Sequence, residues 1–67
     1  MNKWTSVTER LPEKGKMVLA TVKGFSRDHV VLAEYAEVNG TGIWYDHASI
    51  AVTVTAWMPL PEPYKGE

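Results

Sequence analysis

Apolar and polar residues alternate with a period of two through most of the middle of the chain, and that rhythm predicts strands. Met17 to Val22 is rich in β-branched residues and places apolar side chains on both pleat faces, the first strand. From His29 to Val38 the longest apolar-rich run puts Val30, Leu32, Ala36 and Val38 on one face and Val31, Ala33 and Tyr35 on the other. Asn39-Gly40 then supplies the residue types that a tight hairpin turn requires, and Gly42 to Tyr45 returns as an aromatic and β-branched strand. The last predicted strand sets Ile50, Val52, Val54, Ala56 and Met58 on one face and Thr53, Thr55 and Trp57 on the other, and stops at Pro59. Ahead of these elements, Ser6 and Glu9 have the spacing of a capping box, while Pro12 ends any helical turn almost at once. The fold class this predicts is mainly β, a three- or four-stranded antiparallel meander with at most one short helical turn near the N-terminus. Residues 1–63 form a single domain in this reading, followed by a frayed tail at 64–67.

At 67 residues the chain has room for one core. A domain of this size buries only roughly 60% of the surface of its unfolded chain, so an additional staple is expected. The absence of cysteine excludes disulfides and thiolate zinc sites, which leaves oligomerisation as the expected staple. Seven Lys and Arg against eight Asp and Glu leave a formal charge of −1, so no positive field points to general nucleic-acid binding. No segment has the long apolar run of a signal peptide or a spanning helix, so a soluble, cytoplasmic protein without membrane attachment is expected.

Two Asp-His pairs, Asp28-His29 and Asp46-His47, could orient a general base or a metal ligand. Adjacent strand residues point to opposite faces, however, and two histidines fall short of the three or four ligands of a zinc site. Ser6, Ser26 and Ser49 lack a nucleophile-elbow context, and Gly40-Thr41-Gly42 reads as a hairpin rather than a dinucleotide loop because Tyr45 stands at the third glycine position. Glu34 and Glu37, three apart on a strand, face opposite ways. Neither a catalytic set nor a cofactor or metal site is predicted. The constellation retained as a ligand site is Trp44 and Tyr45 with Arg10, Lys14, Lys16 and Arg27, because aromatic faces stack on bases and arginine forks bind phosphates. Adjoining chains of an oligomer could enclose a nucleotide that one short chain could not. Against this stands burial of Trp44 in the sheet core, with the basic residues solvated.

Both ends of the chain carry more specific patterns. The opening run contains Trp4, Ser6, Val7, Arg10, Leu11, Pro12, Glu13, Gly15, Val18 and Leu19. The closing run is Val54-Thr55-Ala56-Trp57-Met58-Pro59-Leu60-Pro61-Glu62-Pro63. Together these resemble the family called domain of unknown function 551, found largely in bacteriophages and prophages. One departure is Ala56, where members often carry histidine, so no role of that histidine carries over. The resemblance implies a small viral accessory protein acting in the bacterial host, of the kind that counters host defence, and supplies no catalytic residue. Trp4, Leu11, Pro12, Trp57, Met58, Pro59 and Leu60 are expected to be structural anchors, with Trp4 and Trp57 pairing to hold the two ends together. The expected activity is non-enzymatic: sequestering a small signalling nucleotide or, alternatively, binding a host protein through a sheet face. A small oligomeric hydrolase using His29 or His47 is the rival from another class.

Overall fold

The computed structural model describes residues 3–61 and residue 66, so all but one residue of the expected frayed tail lies outside it. The chain is mainly β and the described residues contain no helix. Its strands are β1 (Thr5–Ser6), β2 (Met17–Val22), β3 (His29–Val38), β4 (Thr41–Asp46), β5 (Ala51–Val52) and β6 (Val54–Pro59). All pair antiparallel in one sheet of order β1-β6-β2-β3-β4-β5. Four strands carry the fold, and the two-residue strands β1 and β5 line its margins. The Ser6–Glu9 segment is a single turn in which the Ser6 carbonyl accepts from the Glu9 and Arg10 amides and its hydroxyl accepts from the Thr8 amide.

The strand order forces the sheet to roll. In a flat sheet the positions of β5 and β6 would lie four inter-strand steps, about 19 Å, apart, yet only Thr53 separates Val52 from Val54, a span of roughly 7 Å at most. The two margins therefore come together. The inside of the roll holds Val18, Ala20, Val22, Ala33, Trp44, Val54 and Trp57, with Val7, Val31, Tyr35 and Val52 packed against them. Ala20 and Ala33 are both fully buried, and the small Ala20 stands opposite Trp57 on the neighbouring strand.

The last strand departs from the pattern expected of it. Thr53 divides it into β5 and β6, and the register on β2 jumps from Thr21 opposite Ala56 to Val22 opposite Val54. Thr55 is the extra residue of a bulge, so the inward positions shift by one. Val54 and Trp57 share the inside, and Ala56 and Met58 face out, whereas strict alternation would have set Trp57 opposite Val54.

Two turns fix the remaining geometry. Asn39 and Gly40 take φ of 53° and 81°, which matches the right-handed twist of the β3–β4 hairpin. Gly42 is required for a different reason: a Cβ there would collide with the Tyr35 hydroxyl and ring, which lie across it.

Candidate functional site

The six residues expected to form a ligand site are dispersed by this fold. Trp44 is 8% exposed inside the roll, its ring 5.4 Å from that of Tyr35 and tilted by 60°. Tyr45, next along β4, faces out, opposite Glu34 and Ala51. Arg10 follows the N-terminal turn, with its guanidinium carbon 5.8 Å from the centre of the Trp57 ring. Lys16 precedes β2, whereas Arg27 lies in the loop at the far end of that strand. Lys14 is held by Glu37 at 3.0 Å, an ion pair exposed to solvent. Among the described residues no ligand-sized pocket indents the surface, and no three His, Cys, Asp or Glu side chains converge.

The Asp-His pairs have separate structural surroundings. One carboxylate oxygen of Asp46 accepts from the Ala48 and Ile50 amides, both at 2.9 Å, while the Asp46 carbonyl accepts from Ser49. Asp46 therefore organises the β4–β5 loop, where Ser49 takes a φ of 65° and His47 is exposed. His29 opens β3 opposite Val22.

The anchor residues divide in the same way. Trp57 is buried and donates its indole N–H to the Arg10 carbonyl at 2.9 Å. Pro12 is buried, Leu11, Pro59 and Leu60 are exposed, and Trp4 is 40% exposed. The only ring pair among the described residues joins Tyr35 and Trp44, so Trp4 and Trp57 do not stack. What holds the opening segment to the closing one is backbone pairing of Thr5 with Trp57 and Ser6 with Ala56, plus the indole bond to Arg10.

Apart from Tyr45, the sequence-based ligand set missed the outside of the roll. Paired strand residues share a face, so Leu19 opposite both Leu32 and Met58 forms an apolar row across three neighbouring strands. Val30 and Leu32 remain 53% and 39% exposed, whereas Met58 is buried without belonging to the core cluster. Beyond this row, Met17, Ala36, Ile43 and Val38 continue the same face along β2, β3 and β4. Of the strand residues turned outward, only Glu34 is charged. The signal was present in the sequence: β2 and β3 are apolar on both pleat faces, and a roll can bury only one of them.

Residues 3–65 match the family described as Protein of unknown function (DUF551). The chain belongs to this family. For DUF551 the match covers nearly every described residue, including both the Trp57 anchor and the strands that carry the apolar row. No curated protein and no solved structure matches the chain.

Proposed function

We propose that this DUF551 chain is a non-enzymatic, phage-type accessory protein that blocks another protein through the outer face of β2, β3 and β6. The observation that carries the proposal is the apolar outer row of Leu19 and Leu32, extended by the exposed Val30, on a face that carries a single charged strand residue, Glu34. Contiguous exposed apolar area of this kind favours protein contact over solvent. A blocking protein needs affinity and no acid–base chemistry, which suits a face built from aliphatic side chains. The placement of Trp44 inside the roll removes one stacking ring from a nucleotide site on a single chain, and the Asp46 carboxylate is engaged by its own loop. Those two facts favour protein blocking over nucleotide sequestration and over hydrolysis.

The test is site-specific photo-crosslinking in the producing cell from position 32, with position 27 as the control. Discrete adducts from position 32 alone support the proposal. Absence of such adducts, together with calorimetric heat on titration with cyclic or ADP-ribose-type nucleotides, would return the function to small-molecule sequestration.

A further inference from the structure

We infer that the blocked protein is held by strand addition: an extended segment of it pairs with β3 along residues 29–32, in the line that β4 leaves at Asp46. The inference rests on the reading of the chain as a protein blocker, and it names the form of the contact. Its first ground is the stagger of the two strands that flank β3. Strand β2 pairs with residues 29–34 and β4 with residues 33–38, so residues 29–32 have a strand on one side alone. At Asp46 the chain turns back towards β5, held by the Asp46 carboxylate and by the bond from the Asp46 amide to the Ile50 carbonyl.

The second ground is which backbone groups this stagger leaves open. Each residue of an antiparallel strand turns its N–H and C=O to one side, and its neighbours turn theirs to the other. The Tyr35 carbonyl accepts from Gly15, which leads into β2, so odd-numbered residues of β3 face β2 and even-numbered ones face β4. The Val30 N–H and C=O and the Leu32 N–H therefore point along the open edge, and among the described residues none of the three has a backbone partner. Edge strands are usually blunted by lysine, proline or a bulge. This one carries none of them, and its outer side chains, Val30 and Leu32, are 53% and 39% exposed. A helix spends its backbone groups on itself, so the complement of this edge is an extended chain. Aliphatic side chains at every second position of that chain would lie beside Val30 and Leu32 on the outer face.

The probe is a display library of random twelve-residue peptides selected against the whole chain. Enriched peptides with aliphatic residues at every second position are expected, with intermolecular NMR contacts from the peptide backbone to the Val30 and Leu32 amide protons. Val30→Pro removes an N–H that points away from β2, at a place where proline suits a strand margin. With its fold verified by circular dichroism, this variant is expected to weaken the peptide on the order of tenfold, and Val30→Thr, which keeps the N–H and the side-chain shape, roughly twofold. Equal losses in the two variants would assign the contact to the side chain and overturn the inference. If Val30→Pro does not fold, the NMR contacts decide. Peptides with helical spacing, contacts that avoid Val30, or an empty selection also overturn it, and so does a dimer of the chain alone in which two copies pair through Val30. In each of these cases, discrete photo-adducts of position 32 with a different protein would keep the outer face as the blocking surface, and their absence would remove that reading as well.

Discussion

Trp57 shows how much one side chain settles. Its ring fills the inside of the roll opposite Ala20, and its N–H holds the Arg10 carbonyl across 47 positions of sequence. Trp57→Phe keeps most of the ring volume and loses that hydrogen bond, so a destabilisation of about 1 kcal/mol is expected in urea titration. Asp46 works at shorter range, satisfying two amides with one carboxylate oxygen. Asp46→Ala is expected to lower stability by about 1–2 kcal/mol, and Asp46→Asn, which keeps an acceptor oxygen, by clearly less; thermal unfolding of the two variants separates them. At this scale the importance of Trp57 was legible in the chain and its partner was not. A hydrogen bond from an indole to a backbone carbonyl leaves no trace in residue type, since every residue has a carbonyl. Trp44 was legible only as an alternative, core or site, because a large aromatic suits either until the sheet's curvature is known.

Among the elements, β2 and β3 begin and end where period-two alternation places them, because nothing in Met17–Val22 or His29–Val38 interrupts the pleat. The Asn39-Gly40 turn was equally legible, since few other residue pairs tolerate positive φ at both positions. The closing segment was not legible, because a threonine in a bulge looks the same as a threonine in a regular strand. The bulge at Thr55 nonetheless decides which side of the sheet receives the indole. Deleting Thr55 leaves Val54 and Trp57 two positions apart, so a regular strand without the bulge keeps both side chains inside. The expected result is an unshifted tryptophan emission and a transition that stays cooperative, with a stability loss of about 1 kcal/mol from the missing bond between the Val7 amide and the Thr55 carbonyl, read by fluorescence during denaturation.

For the whole molecule, the roll determines both the core and the candidate surface. It takes one apolar face of β2 and β3 inward and leaves the other outside, where Leu32 and Val30 are exposed. Sequence patterning revealed two apolar faces but could not say which would be inside, because that choice depends on the single-residue crossing at Thr53. That crossing acts as a clasp. With β5 on one margin and β6 joined to the other through one residue, neither rim can peel away while its counterpart stays in place. Heat should therefore melt the protein in one step, and the slowest amide protons of β4 and β6 should exchange with a common opening free energy. Hydrogen-exchange NMR that found β4 opening independently of β6 would show that the clasp does not couple the two rims.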